Sequence, residues 1–411
     1  MVAYRAFSDV AGKGAFLVIT LVAARRMSQE AFGLFSLGTT IGWMAAVAAD
    51  FGIQLHTARA IATRPTQAEP ILRSWLRVRL WTTLAALAVV GAGVAFFQTP
   101  AGTPIAILLL VGVYLLSGLV EFLHYVYRGL SRTDIESTLT LWQRAGTLLL
   151  ALAILWWRPD VRALAVAMLL PVAATFWYSR RVAFRLAAAS SSGTPEDTLE
   201  PLGSALRSIL PTGAGILLSA FYFRVDVLLI DVWAGPSAVG LYNAAFRIVE
   251  ALRLFPAAVL AVALPVLFRA SSRGPLVAVS ALVTAGASGA AIVLWMSAGW
   301  LIPLAFGERF IAAVPAFRVL LLAFPLMSLN YALTHQLVGW RGHRAYAMSC
   351  AAALVFNVVL NARLIPSAGI VGAAWSTVWT EAVITAACLV ALARIDPAAG
   401  LLHPAESEAA S

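Results

Sequence analysis

Residues 104–127 read PIAILLLVGVYLLSGLVEFLHYVY, a run in which Glu121 is the only Asp, Glu, Lys or Arg. An α-helix rises about 1.5 Å per residue, so a helix over this run is longer than the roughly 30 Å hydrocarbon core of a bilayer. So long a run with so little charge is typical of a transmembrane helix. The stretch therefore predicts that the chain crosses a membrane.

The overall composition supports an all-α polytopic membrane protein. Of the 411 residues, 61% are hydrophobic and 12% are charged, whereas soluble domains average about 45–50% and about 25%. These proportions exclude a water-soluble enzyme, a nucleic-acid-binding protein and a disordered scaffold. The sequence contains no Gly-rich phosphate loop, no Ser/His/Asp or Cys/His set and no metal-ligand spacing of histidines. We therefore expect no catalytic residues, no metal site and no cofactor.

Long apolar runs predict about twelve transmembrane helices, including spans at 206–232, 238–268, 344–364 and 367–392. The formal net charge of +10 comes almost entirely from arginines in short connections. These arginines are concentrated in one alternate set of loops, which also contains both termini. Because cytoplasmic loops carry the excess of positive charge, both termini are expected to face the cytoplasm.

A Ser- and Gly-rich stretch near the midpoint divides the sequence into two halves. We predict an N-terminal six-helix bundle at 1–187, a cytoplasmic linker at 188–205, a C-terminal six-helix bundle at 206–395 and a cytoplasmic tail at 396–411. The halves share a weak repeat, because FGLFS at 32–36 and VGLYN at 239–243 each begin a long helix. Two bundles of the same topology are typical of transporters whose halves are related by an axis along the membrane normal.

Several motifs occur in a characteristic order along most of the chain. They are FGLFS (32–36) with ADFGI (49–53), FRVDVLLI (223–230) with VGLYNAAFRIVE (239–250), LAFGERF (304–310) with VPAFRVL (314–320), and NVVLN (357–361) with GIVGAA (369–374). In these motifs the chain resembles the polysaccharide-unit flippases of the multidrug/oligosaccharidyl-lipid/polysaccharide (MOP) exporter superfamily. The shared residues are largely small ones that shape helices, so the order of the motifs is more specific than any one of them.

The resemblance implies a MOP flippase fold, with two six-helix bundles that form a V around a central hydrophilic cavity. It also implies an activity without enzymatic chemistry: moving an undecaprenyl-diphosphate-linked oligosaccharide from the cytoplasmic to the outer leaflet of the bacterial inner membrane. The oligosaccharide would then enter O-antigen, capsule or exopolysaccharide. The partners implied are the lipid-linked oligosaccharide, membrane lipids and the polysaccharide polymerase with its chain-length machinery, and not a nucleic acid.

Basic residues inside the predicted spans are candidates for binding such a diphosphate, because an ionisable side chain at membrane depth needs a cavity or a partner. A guanidinium also binds two phosphate oxygens at once. The candidates are Arg224, Arg247, Lys13, Arg144 and Arg253. Arg–carboxylate pairs that stabilise the bundle are the alternative interpretation of Arg224 and Arg247.

Helical spacing predicts which of these residues have carboxylates beside them. Arg247 and Glu250 are three residues apart and are expected to pair on one face of their helix. Arg224 and Asp226 lie on opposite sides of their helix, so we do not expect them to face one neighbour.

Carboxylates inside the predicted spans are candidates for ion coupling: Asp50, Glu121, Asp226, Glu250 and Glu381. Glu121 shares a helical stripe with His124 and Arg128, and a carboxylate beside a histidine could carry a proton. The alternative is that Arg128 simply pairs with Glu121.

Other functions remain open at the level of sequence. A cation-coupled multidrug exporter of the same superfamily would be expected to have a carboxylate-lined pocket rather than an arginine-rich one. A peptidoglycan-precursor flippase would be expected to have two further spans. A membrane-embedded glycosyltransferase or polymerase acting on polyprenyl-linked glycans would be expected to have a large loop with clustered acids or histidines, and the longest linker here is Ser/Gly-rich.

Overall fold

A computed structural model describes residues 2–96, 102–191, 202–269, 272–340 and 342–395. Within these ranges the regular structure is helical, and no strand occurs. The predicted tail at 396–411 and most of the predicted linker at 188–205 lie outside the described residues. The two ends of that linker are helical, because α-helices run up to Ser190 and resume at Leu202.

The first seven helices belong to the N-terminal part of the chain. They are α1 (Val2–Arg26), α2 (Gln29–Asp50), α3 (Ile53–Thr63), α4 (Ala68–Phe96), α5 (Thr103–Gly129), α6 (Thr133–Trp157) and α7 (Val161–Ser190). The short helix α3 was not predicted. It follows a break at Phe51 and Gly52, which both have left-handed backbone angles.

Five further helices complete the described chain. They are α8 (Leu202–Leu252), α9 (Leu254–Arg269), α10 (Gly274–Phe306), α11 (Val314–Gly339) and α12 (His343–Arg394). The predicted span 238–268 is interrupted at Arg253, between α8 and α9. Pro256 explains the interruption, because proline has no N–H for the helical hydrogen bond to the carbonyl of residue 252.

Helices α8 and α12 each contain a reversal of the chain at a glycine. Gly235 has φ 78° and ψ 176°, and Gly369 has φ 54° and ψ −135°. Arg224 lies 3.0 Å from Glu250, and Asn357 lies 3.1 Å from Thr380. In a straight helix these pairs would be more than about 30 Å apart. The chain therefore folds back at each glycine, where other residues rarely adopt such angles.

Nine helical segments among the described residues are long and apolar enough to cross a membrane. Two of them, Gly213–Leu264 and Arg344–Arg394, contain the reversals and so make two crossings each. The nine segments therefore contain eleven helices of crossing length, and the 25-residue α1 brings the number to the predicted twelve. The prediction of an all-α, multi-pass membrane fold is therefore confirmed.

The chain divides into two compact units: unit 1 extends to Leu217 and unit 2 begins at Leu218, within α8. In unit 1, α5 packs against α2 and α7, and the buried Tyr127 hydroxyl donates a 2.7 Å hydrogen bond to the Ser179 carbonyl. In unit 2, α11 packs against α10 and α12 around an apolar core that includes Val283 and Leu337. The domain limits drawn from the linker stay a prediction.

Candidate functional site

Three arginines of unit 2 lie around one carboxylate, and we call Arg224, Arg247 and Arg253 the arginine cluster. Arg224 Nη2 is 3.0 Å from Glu250 Oε1, and Arg247 Nη1 is 2.6 Å from Glu250 Oε2. The reversal at Gly235 brings Arg224 to Glu250, whereas Arg247 reaches it within one helix. The predicted Arg247–Glu250 pair is confirmed, and each oxygen of Glu250 accepts from a different guanidinium.

Arg224 is buried and held from several sides. Its Nη1 lies 3.4 Å from Asn243 Oδ1, and its guanidinium lies over the Phe246 ring at 4.5 Å. Arg253 stacks on Phe223 at 4.3 Å, at the interruption between α8 and α9. Aromatic faces attract cations without neutralising them. The rings therefore position the guanidiniums while leaving their charge available.

Glu250 is the accessible partner in this region. Its side chain is 36% exposed, whereas those of Arg224 and Arg247 are 5% and 11% exposed. A charged side chain at membrane depth costs about 2.5–3.5 kcal/mol on insertion scales. Two guanidiniums of unit 2 thus share one accessible carboxylate, at a position where another anion could take the place of that carboxylate.

Asp226 lies next to the arginine cluster but has other partners. Its carboxylate accepts hydrogen bonds from the Tyr242 hydroxyl and, at 2.8 Å, from the backbone N–H of Val227. The Tyr242 hydroxyl is also 3.2 Å from Thr377 Oγ1. Arg224 and Asp226 therefore contact different side chains, as expected, although both sets of partners include residues of α8 after Gly235.

A second buried carboxylate lies between α11 and α12. Glu381 Oε2 accepts a 2.7 Å hydrogen bond from Asn330 Nδ2, and the Thr385 hydroxyl donates to Asn330 Oδ1 at 2.8 Å. Nearby in sequence, Asn361 Nδ2 donates to Asn357 Oδ1 at 2.7 Å. These are two separate sets of polar contacts inside unit 2, where a buried polar group without a partner is costly.

Unit 1 exposes two further cations near the middle of adjacent helices. Lys13 of α1 and Arg144 of α6 are both exposed, and α1 packs against α6. A Cβ on the buried Gly12 would lie 3.4 Å from Arg144 Cγ, so the Arg144 side chain packs against α1 at Gly12. An exposed cation at this depth requires water or an anion rather than lipid tails.

Asp50 has structural partners in unit 1. Its carboxylate accepts from the backbone N–H groups of Gly52 and Gln54 at 3.1 and 3.2 Å, which caps α3. Arg79 Nε lies 3.7 Å from Asp50 Oδ1. Arg79, which is 1% exposed, was not among the candidates predicted from the sequence. Its position could have indicated a buried charge, because Arg79 lies two residues after Arg77, at the beginning of a predicted membrane span.

The stripe on α5 differs from the prediction. Arg128 pairs with Glu136 of α6, with Nη2 2.5 Å from Oε1, so the alternative interpretation, in which Arg128 pairs with Glu121, is wrong. Glu121 is exposed instead, while His124 is buried and its Nε2 has no hydrogen-bond partner among the described residues. Glu136 is the partner of Arg128 because the short connection between α5 and α6 places Glu136 beside the end of α5.

No group of three or more His, Cys, Asp or Glu residues that could hold a metal ion occurs in the ranges that the structure describes. The polar side chains around Asp226 and Glu381 in unit 2 are mainly amides and hydroxyls. The arrangement is suited to binding an anion through the arginine cluster and to binding a proton or small cation at a buried carboxylate.

One known family matches about two thirds of the chain. The sequence profile of the family described as polysaccharide biosynthesis protein matches residues 2–271. The chain belongs to that family. No curated protein sequence matches the chain. The family match covers all of unit 1 and the helices that carry the arginine cluster.

Solved structures share the fold of this family member at low sequence identity. An inward-facing multidrug resistance MATE transporter of the MOP superfamily matches with a TM-score of 0.73 at 14% identity, over 95% of this chain and 96% of its own. The lipid II flippase MurJ, in an inward closed conformation, matches with a TM-score of 0.71 at 12% identity, over 96% and 88%. A MOP superfamily transporter from Pyrococcus furiosus, described as having a binding pocket of reverse polarity, matches at 0.64 and 14%, over 95% and 94%.

The chain therefore belongs to the polysaccharide biosynthesis protein family and shares its multi-pass helical fold with transporters of the MOP superfamily. These three solved structures are described as transporters or a flippase, and none of them is described as a glycosyltransferase or polymerase. The assignment of individual binding and coupling residues rests on the geometry described above and stays a prediction.

Proposed function

We propose that this protein is a flippase for polyprenyl-diphosphate-linked oligosaccharides, with undecaprenyl diphosphate as the carrier. It would move the lipid-linked unit from the cytoplasmic to the outer leaflet for the synthesis of O-antigen, capsule or exopolysaccharide. Membership of the polysaccharide biosynthesis protein family supports a glycan cargo.

The arginine cluster is the observation that carries this proposal. A diphosphate presents several oxygens and more than one negative charge, and guanidiniums bind such groups through charge-assisted, paired hydrogen bonds. Arg224 and Arg247 share the carboxylate of Glu250, which is the more exposed member of both pairs. A diphosphate could displace Glu250 and engage the guanidiniums directly. Lys13 and Arg144 of unit 1 are separate candidates for binding an anionic group.

The buried carboxylates are proposed to couple transport to an ion gradient. Asp226 and Glu381 are the leading candidates, because each is buried and bonded to neutral donors. Asp50, Glu121 and Glu250 are weaker candidates, since Asp50 caps a helix and Glu250 binds two arginines. The sequence has no ATP-binding loop, so a gradient or consumption of the product would provide the driving force.

The proposed setting is the bacterial inner membrane with both termini in the cytoplasm. The arginine distribution between alternate loops supports this orientation. Cysteines introduced at the linker should react with an impermeant thiol reagent only after the membrane is opened. The cargo and the surrounding lipids would be its direct partners, and a polymerase with its chain-length machinery would consume the product.

Reconstitution provides the direct test. Liposomes containing the purified protein and a fluorescent polyprenyl-diphosphate oligosaccharide should transfer the lipid between leaflets, as scored by an impermeant quencher. Protein-free liposomes and liposomes with the Arg224→Ala, Arg247→Ala double variant are the controls. Transfer at the same rate in the double variant would contradict the proposed site.

A cation-coupled multidrug exporter is the second candidate, because Asp226 and Glu381 are buried carboxylates of the kind that bind protons or cations. The same liposomes, loaded with an organic cation and given a proton or sodium gradient, distinguish the two. Gradient-driven movement of the cation without movement of the lipid diphosphate would favour the exporter.

A further inference from the structure

A groove lies on the outside of unit 1 between the end of α6 and the beginning of α7. Its volume is about 560 Å³. Leu150 and Ile154 of α6 line one side, and Val166 and Leu170 of α7 line the other. Leu150, Val166 and Leu170 are all exposed. We call this feature the α6–α7 groove, and it is separate from every site described above.

Charged residues surround one end of the groove only. Arg158, Asp160 and Arg162 lie at that end, and both arginines are exposed. Trp156 and Trp157 are at the same end, with exposures of 76% and 86%. Tryptophans are enriched where a protein surface meets the membrane–water interface. The charged end of the groove is therefore at headgroup level, and the apolar part extends into the bilayer.

The charges at this end leave a positive surplus. Asp160 accepts hydrogen bonds from the backbone N–H groups of Arg162 and Ala163, both at 3.0 Å, and so caps α7. The Arg162 Nε atom lies 3.7 Å from the same carboxylate. Arg158 has no ion-pair partner among the described residues. The backbone N–H groups at the start of α7 already donate to Asp160, so an anion that binds here would contact the guanidiniums of Arg158 and Arg162 instead.

The length of the groove fits one lipid tail. Leu150 is eight residues before Arg158, and Leu170 is eight residues after Arg162, which corresponds to about 12 Å along each helix. Half of a bilayer's hydrocarbon core is about 15 Å. A lipid whose phosphate lies between the arginines would therefore place most of an ordinary acyl chain against these apolar side chains.

We propose that the α6–α7 groove binds an anionic phospholipid, with its phosphate headgroup between Arg158 and Arg162 and one acyl chain along Leu150, Ile154, Val166 and Leu170. The proposal does not depend on the identity of the cargo. A polyprenyl carrier chain is much longer than the groove, so the ordinary bilayer lipid is the better occupant.

Lipid binding to the purified full chain tests the proposal. Phosphatidylglycerol and phosphatidylethanolamine are titrated in detergent, with native mass spectrometry and thermal unfolding as the two readouts. A bound lipid that prefers the folded state raises the unfolding temperature. The wild type should bind phosphatidylglycerol more tightly. The Arg158→Gln, Arg162→Gln double variant should bind it about 25-fold more weakly, at about fivefold for each basic residue.

Two further variants separate charge from shape. Ala163→Phe fills the groove and should weaken both lipids, and Val166→Trp on an exposed position serves if the first variant does not accumulate. Arg309→Gln removes an exposed arginine elsewhere and should bind as the wild type does. Equal binding of phosphatidylglycerol by the wild type and the double variant would overturn the proposal. So would equal binding of the two lipids by the wild type, or displacement of phosphatidylglycerol by polyprenyl phosphate.

Discussion

Replacing Arg247 by alanine separates cargo binding from folding more cleanly than any other change in the arginine cluster. Arg247 Nη1 is 2.6 Å from Glu250 Oε2, but Glu250 keeps its second partner, Arg224, at 3.0 Å. The Glu250 side chain is also 36% exposed. The free energy of unfolding should therefore fall by no more than about 1 kcal/mol, as for a partly exposed ion pair.

The effect on cargo binding should be much larger. A hydrogen bond to a charged group contributes about 1.5–3 kcal/mol. Since about 1.4 kcal/mol corresponds to a factor of ten, Arg247→Ala should weaken binding of a lipid diphosphate by about ten- to a hundredfold. The transfer rate in liposomes at low cargo concentration should fall by a similar factor.

The assay combines three measurements on the same protein preparation: thermal unfolding, titration with a short-chain prenyl diphosphate, and leaflet transfer of the fluorescent oligosaccharide lipid. Arg363→Ala is the matched control, because Arg363 is an exposed arginine of α12. If Arg247→Ala binds the diphosphate as tightly as the control, the arginine cluster is structural and the proposed anchor is refuted. A large loss of stability with unchanged binding per folded molecule would refute it equally.

Three other changes test separate parts of the argument. Glu250→Gln removes the anion that competes with the cargo, so the affinity for a diphosphate should rise several-fold. The unfolding temperature should fall, because buried Arg224 loses its carboxylate. An unchanged affinity would show that Glu250 and the diphosphate do not compete. Asp226→Asn should abolish the dependence of transfer on an ion gradient but leave diphosphate titration unchanged, and a variant that keeps its gradient dependence excludes this carboxylate from coupling. Gly235→Ala should lower the free energy of unfolding by about 1–3 kcal/mol because of the backbone angles at this position. Gly91→Ala in the open interior of α4 should instead raise it by about 0.5–1 kcal/mol. Equal effects of the two variants would contradict a chain reversal at Gly235.

Most of the fold could be predicted from sequence because the membrane imposes a simple pattern. A crossing helix needs about 20 apolar residues, and such runs are visible without any knowledge of tertiary contacts. The short helix α3 was missed because its 11 residues, IQLHTARAIAT, are too few and too polar to resemble a crossing segment. The interruption at Arg253 was missed because the apolar run continues through Pro256.

The candidate site was predicted only where its residues share a helix. Arg247 and Glu250 are neighbours through helical spacing alone. The Arg224–Glu250 pair joins two helices across the reversal at Gly235, so spacing along the chain carries no information about it. The Arg128–Glu136 pair depends in the same way on the connection between α5 and α6. Spacing therefore predicted the ion pair within one helix but not the pairs that join two helices.

The buried guanidinium of Arg79 has a consequence for how unit 1 tolerates change. Its Nε and Nη1 atoms have no hydrogen-bond partner among the described residues, and its Nη2 lies against Gly118. In other proteins, replacing both members of a buried ion pair by well-packed apolar side chains is neutral or gains about 1–4 kcal/mol, whereas removing one member costs about 3–5 kcal/mol. Arg79 lies 3.7 Å from Asp50, so replacing Arg79 alone would leave a buried carboxylate without its cation. A more stable protein for crystallisation therefore requires apolar residues at both positions together.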